Sequence, residues 1–176
     1  MPPNVVLFIS HDTGRFISPY GYATVKTPQF ERLASSSVMF RNAYCTSPLC
    51  APSRAAIVTG QPPHQNGMNG LPGPFLGDWD LGVKERHLAA VFSRSGFKSV
   101  LAGFEHESQD CLSLGFQDVI HGSGSSHNGG ESLVGIGSDI GAWLDQRGPE
   151  PFYMQIGCFE THRDWATFAS PFDSRG

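Results

Sequence analysis

Between Pro48 and Gly60 the chain reads P-L-C-A-P-S-R-A-A-I-V-T-G. The segment from Pro52 to Thr59 has the composition of a helix. Gly60 is its natural stop, because glycine enters the left-handed C-terminal conformation at no steric cost. Cys50 therefore stands at a helix N-terminus, where unpaired N–H groups and the helix dipole favour an anion. Arg54, one turn further on, is placed to hold a tetrahedral oxyanion with paired hydrogen bonds. A core cysteine needs no such neighbours, so the segment points to an anion-handling site. A thiolate nucleophile is the first chemistry these residues suggest.

On either side of this segment, strands and helices alternate. Val5 to Ile9 is a short β-branched run and reads as a buried strand. It ends in Ser10-His11-Asp12-Thr13-Gly14, polar groups at the C-terminal end of a strand, where open α/β sheets bind ligands. Thr27-Pro28 opens a helix with Thr27 as N-cap, and Phe30, Leu33 and Ala34 form its inner face. Val38 to Arg41 is expected as a second strand. After the central helix come a Gly/Pro-rich loop over 61–80, a helix over Lys84–Arg94 closed by Gly96, and a strand at Lys98–Ala102. Residues 121–130 read as a loop, Ser132–Gln146 as a Gly-interrupted helix and Phe152–Gly157 as another apolar strand. Alternation of this kind implies one α/β domain over 1–176, a mostly parallel sheet flanked by helices.

Composition narrows the function classes. Hydrophobic residues at 39% and charged ones at 16% are ordinary for a soluble globular protein. A net charge of −4 without any basic block argues against nucleic acid as a partner. The four cysteines lack metal-site spacing and the density of a disulfide scaffold, so Cys45, Cys111 and Cys158 read as core or subsurface thiols. The N-terminus has no positive n-region, and its apolar run is too short for a signal peptide or membrane span. No membrane contact and a cytoplasmic location are the resulting expectations. Three strand ends then carry candidate groups: His11 and Asp12, Glu105 and His106, and His162.

C-A-P-S-R at 50–54, continued through Ala55-Ala56-Ile57-Val58-Thr59-Gly60, resembles the signature of the sulfatase family. N-V-V-L-F-I-S-H-D resembles that family's first strand, S-R-S-G-F-K-S-V-L-A-G-F-E-H its G-K-x-H segment, and C-F-E-T-H-R a later segment with a catalytic histidine. Q-P-P-H-Q-N-G-M-N-G resembles the sulfamidase branch. The resemblance implies an alkaline-phosphatase-like α/β fold and hydrolysis of a sulfate ester or sulfamate, with a sulfated small molecule or glycan as substrate. It also implies oxidation of Cys50 to formylglycine by a maturation enzyme that reads the following Pro and Arg. The hydrated aldehyde is the nucleophile, and a divalent cation, normally Ca2+, is held by residues 11, 12 and 50. Arg54 supports position 50, His106 binds sulfate or relays a proton, and His162 protonates the leaving group.

Three departures from the family pattern stand out. His11 occupies the place of the first metal aspartate, and an imidazole shifts preference away from a pure calcium site. Phe104 stands where the family has a sulfate-binding lysine. The later Asp-Asn metal pair, a second lysine and the C-terminal subdomain lie outside these residues, so the resemblance implies the N-terminal portion of a sulfatase. A phosphoester or phosphonate monoester hydrolase with the same modified cysteine is the alternative enzyme, and a truncated non-catalytic remnant the alternative from another class. His64, His121 and His127 read as structural or solvated loop residues, and Glu105 and Glu160 as solvent-exposed by default.

Overall fold

The apolar runs Val5–Ile9 (β1), Lys98–Gly103 (β2) and Phe152–Gly157 (β4) are joined by a short strand, Asp118–Ile120 (β3), in one sheet of order β1-β4-β2-β3. All three pairings are parallel, as the alternation of strands and helices implies. The computed structural model describes residues 2–73, 77–121, 133–159 and 162. Contacts divide the chain into two compact units, residues 1–9 with 45–160 and residues 10–44 with 161–176.

In the first unit the period-2 alternation of the strands separates two apolar layers. Leu101 and Tyr153 face one side, with Ala51 and Ala55 of the helix Cys50–Thr59 (α2) and Ala89 of the helix Leu88–Arg94 (α4). Val100, Ala102, Phe152 and Met154 face the other, against Ile136 of the helix Leu133–Gln146 (α5). Ala51 and Ala55 of α2 are fully buried, and their small side chains let the helix approach closely. After Gly60 a single helical turn, Pro63–Asn66 (α3), interrupts the expected loop. Asn66 locks it: its amide donates to the Gln61 carbonyl at 2.9 Å and its oxygen accepts from Met68 N–H at 2.9 Å. The helix expected over Lys84–Arg94 is broken at His87, whose ψ of 137° is not helical. A 3₁₀ turn precedes it, and the His87 Nδ1 caps α4 by accepting from Ala89 N–H at 3.0 Å. No sequence signal marked β3, whose three residues are only half-buried.

The second unit corrects two expectations. Val38 and Phe40 belong to no strand and are 80% and 70% exposed. Their β propensity finds no partner strand among the described residues of this unit to make a ladder. The helix Pro28–Ala34 (α1) forms with Pro28 in its first turn, but it buries none of its residues, and Phe30 and Leu33 are 37% and 61% exposed. Thr27 is the N-cap by position only, because its hydroxyl accepts from Ser18 N–H at 3.0 Å instead. Residues 122–130, including His127, and Glu160 lie outside the described residues.

The ends of β2 and β4 meet at a glycine pair, Gly103 opposite Gly157. Gly157 accepts from Phe104 N–H at 2.8 Å. A Cβ on Gly157 would lie 1.7 Å from the Phe104 carbonyl oxygen, and one on Gly103 2.3 Å from the Gly157 oxygen. Only glycine lets the backbones approach this closely, and Gly103 also has a φ of +79°. Gly157→Ala is expected to destabilise the protein by about 2–3 kcal/mol through forced backbone movement. Urea denaturation checks this, and an unchanged midpoint would show that the junction yields freely.

Candidate active site

At this junction the chain leaves β2 and turns through Phe104, Glu105, His106 and Glu107, opposite the start of α2. Cys50 is the first residue of α2, and its Sγ lies 3.4 Å from Nδ1 of His106. Pro52 is tolerated in the first turn because its missing N–H has no intrahelical partner there. Arg54, one turn on, points inward and is 3% exposed. Its guanidinium carbon sits 5.2 Å from the centroid of the Phe104 ring, a cation–π seat. Its Nη1 lies 3.4 Å from where a Gly157 side chain would begin. Both terminal nitrogens are buried and make no hydrogen bond among the described residues. A planar fork of buried donors without acceptors suits an oxyanion. Phe104 thus serves as the seat of Arg54.

Behind His106 lies a pair of fully buried glutamates. The Glu107 carboxylate accepts from His106 N–H at 2.9 Å, and the Glu105 carboxyl accepts from the N–H groups of Glu107 and Ser108 at 2.8 and 3.1 Å. Burial, reinforced by the charge of Glu107, raises Glu105 well above the usual carboxylate range and so favours its neutral form. For Glu107 burial opposes ionisation, but the charges of Arg54 and His87 and hydrogen bonds from Glu105 and His106 N–H prevail. They hold its carboxyl below the usual range. One oxygen of each glutamate is otherwise without a partner, and a proton shared between them satisfies both. Burial lowers His87 to about 4 against the pull of Glu107, so the imidazole is neutral. Burial, and then Glu107, raises the Tyr153 hydroxyl, which donates to Gln155 at 3.0 Å.

In the second unit His11 is buried and Asp12 exposed. Asp12 has a φ of 45°, a left-handed conformation that aspartate tolerates better than most residues. The rings of His11 and His162 meet edge to face, with centroids 5.1 Å apart. Thr13 donates to the His11 carbonyl at 3.0 Å.

The structure therefore gathers Cys50, Arg54 and His106 in one unit and His11 with His162 in the other. Glu105 departs from expectation: it is fully buried, because backbone N–H groups and Glu107 satisfy it. Cys45 is exposed, not a core thiol, since the segment carrying it has no helix or strand to bury it. His64 is exposed on α3, and His121 contacts Asp139 at the surface. Glu107 and His87 were not singled out in the sequence. The available signal was E-H-E, two acids flanking a histidine just past a strand end.

The family model "Sulfatase" matches residues 3–171 of the chain. Human N-sulphoglucosamine sulphohydrolase is 28% identical over 162 residues, which cover 92% of this chain and 32% of that protein. Human steryl-sulfatase is 36% identical over 118 residues, 63% of this chain and 20% of the relative. The chain spans about a third or less of the length of these relatives. Among solved structures, a 2-O GAG sulfatase superposes with a TM-score of 0.67 at 27% identity, covering 92% of this chain and 36% of its own. Ps i-CgsB in complex with k-i-k-neocarrahexaose gives 0.76 at 20% identity, covering 92% and 46%. These neighbours bear out the alkaline-phosphatase-like fold expected from the sequence.

His87 predicts a pH dependence of stability. Between its ordinary 6.5 and its folded value of about 4, the unfolded chain takes up a proton that the folded chain refuses. This contribution is complete above the higher value, is lost as pH falls, and levels off below the lower one, amounting to about 3 kcal/mol. His87→Asn keeps a helix-capping acceptor and should flatten that part of the curve. Urea denaturation across this pH range checks it, and an identical slope in the variant would contradict the assignment.

Proposed function

The chain belongs to the sulfatase family, and from that premise we propose that it forms the nucleophile-bearing part of a hydrolase of sulfate esters or sulfamates. The observation that carries the reading is the buried Arg54 fork, with two donors that no described residue accepts from. It shares a helix with Cys50, whose Sγ is 3.4 Å from His106. Donors fixed in place before substrate arrives need no reorganisation when charge develops on an oxyanion, and this is where such stabilisation is strongest.

Cys50 is the residue matured to formylglycine, because the whole recognition segment stands intact at 50–60. Its half-buried place at the first position of α2 suits a small polar replacement. The hydrated aldehyde supplies an oxygen nucleophile where a thiol stands in the unmodified chain. Arg54 orients the sulfuryl oxygens and the side chain at position 50. His106 holds a sulfuryl oxygen or moves a proton at Nδ1, and His162 gives a proton to the departing oxygen or nitrogen.

The end of β1 carries one imidazole and one exposed carboxylate, donor types a divalent cation accepts, although no group of three or more such side chains comes together among the described residues. His11, Asp12 and residue 50 would hold the cation, an assignment resting on the family resemblance. When bound it supplies Lewis-acid stabilisation of oxyanion charge. Calcium is the family's usual ion, and the His11 imidazole admits softer ones. That same imidazole favours a second reading, a phosphoester or phosphonate monoester hydrolase using the modified cysteine. For the substrate, the names N-sulphoglucosamine sulphohydrolase and ulvan-active sulfatase among the relatives support a sulfated sugar. A formylglycine-generating maturation enzyme is the implied partner.

Two outcomes follow. Coexpression with a maturation enzyme should convert Cys50 to formylglycine, read in the mass of the peptide carrying position 50, and Cys50→Ala should abolish aryl-sulfate turnover. A persistent thiol in active enzyme, or unchanged activity in the variant, would refute the nucleophile. Asp12→Ala should remove bound metal and lower turnover by about a hundredfold or more. Equal metal content in variant and parent would remove Asp12 from the ligand set.

A further inference from the structure

We propose that Glu107 is a positioning residue of this site, holding Arg54 by charge and His106 by a backbone hydrogen bond from a fully buried place behind both. The proposal rests on the reading of Arg54 and His106 given above and adds a residue that the family pattern does not assign.

Arg54 is 3% exposed and Glu107 fully buried, and among the described residues no other Lys or Arg is buried. The groups that act on Glu107 are Arg54, His87, Glu105 and His106 N–H, and Glu107 in turn acts on Tyr153. Of these, His87 and Tyr153 are neutral at physiological pH, and burial together with Glu107 pushes Glu105 towards its neutral form. One positive and one negative charge remain, Arg54 and Glu107. An unpaired charge in such a place is strongly unfavourable, so the carboxylate sets where the guanidinium rests.

The two glutamates are not equivalent. The Glu105 carboxyl is tied to the backbone of Glu107 and Ser108, one step removed from the site. Glu107 accepts from the N–H of His106 itself. It therefore fixes the backbone from which the imidazole reaches Cys50, at 3.4 Å. It leaves both terminal nitrogens of Arg54 unbonded, since no hydrogen bond joins it to them among the described residues. A direct ion pair would have occupied the fork. Compensation at a distance keeps the fork in place and open to an oxyanion.

Near-isosteric variants separate this role from simple structural support. Glu105→Gln imitates the protonated carboxyl: its amide donates to Glu107 and its oxygen accepts the same two backbone N–H groups. Glu107→Gln keeps the shape and removes the charge. With turnover normalised to formylglycine content, Glu107→Gln is expected to lower kcat for an aryl sulfate about tenfold or more with little change in KM, because the affected contacts strengthen in the transition state. Glu105→Gln should cost less than about threefold, and Glu107→Asp should recover part of the loss. The side-chain 1H–15N signals of the Arg54 guanidinium give a readout that does not depend on turnover. They should stay sharp in the parent and in Glu105→Gln, and broaden or vanish in Glu107→Gln. If Glu107→Gln alone does not fold, the double variant R54M/E107Q, which removes both charges, should fold, and its failure would contradict the charge pairing. Failure of the complete hydrolase that carries this chain to turn over any sulfate ester would overturn the proposed function, while the guanidinium signals would still decide the role of Glu107. Unchanged Arg54 signals in Glu107→Gln would overturn the positioning role.

Discussion

Burying the Arg54 guanidinium takes a full positive charge out of water, and the surrounding residues are arranged to make that tolerable. Phe104 gives the guanidinium a π face, Glu107 supplies the opposite charge, and glycine at 157 leaves room beside Nη1. Desolvation of a single ion costs several kcal/mol even after relaxation. A chain that keeps such a residue with its donors unsatisfied has a use for them. Binding an oxyanion satisfies the donors and the charge together.

The sheet makes this arrangement possible. Parallel strands deliver their C-terminal ends to one edge, and the close approach of Gly103 and Gly157 brings the turn after β2 against the end of β4. From that turn Phe104 reaches Arg54 and His106 reaches Cys50. Helix α2 presents the cysteine at its first position, where the dipole favours negative charge, and the arginine one turn later on its buried side. Ala51 and Ala55, on the same helix, pack in the core cluster with Leu101 and Tyr153 of the sheet. Packing and chemistry thus share ten residues.

Strongly patterned segments were legible in the sequence. The strands β1, β2 and β4 are apolar runs of the right length, and Gly60 closes α2 with a φ of 67°. Cys50, Arg54 and His106 could be placed because each follows a capping or strand-end signal. What escaped depends on tertiary context. Val38 and Phe40 have strand composition but no partner strand among the described residues, and α1 has an apolar stripe that stays largely exposed. Glu105 and Glu107 were hidden by the general rule that glutamates face water. The rule fails here because backbone donors, a shared proton and a buried arginine satisfy them, and none of these is local in sequence. His87 reads as an ordinary helical residue until the cap it makes is seen.

In the proposed function a modified residue at position 50 and the open fork of Arg54 serve sulfuryl transfer. The most direct test compares kcat/KM for an aryl sulfate and the matched aryl phosphate, on protein with formylglycine verified at position 50 and metal in excess. The account predicts preference for the sulfate by about a hundredfold or more, lost in Arg54→Met. Preference for the phosphate, or a ratio that Arg54→Met leaves unchanged, would contradict it.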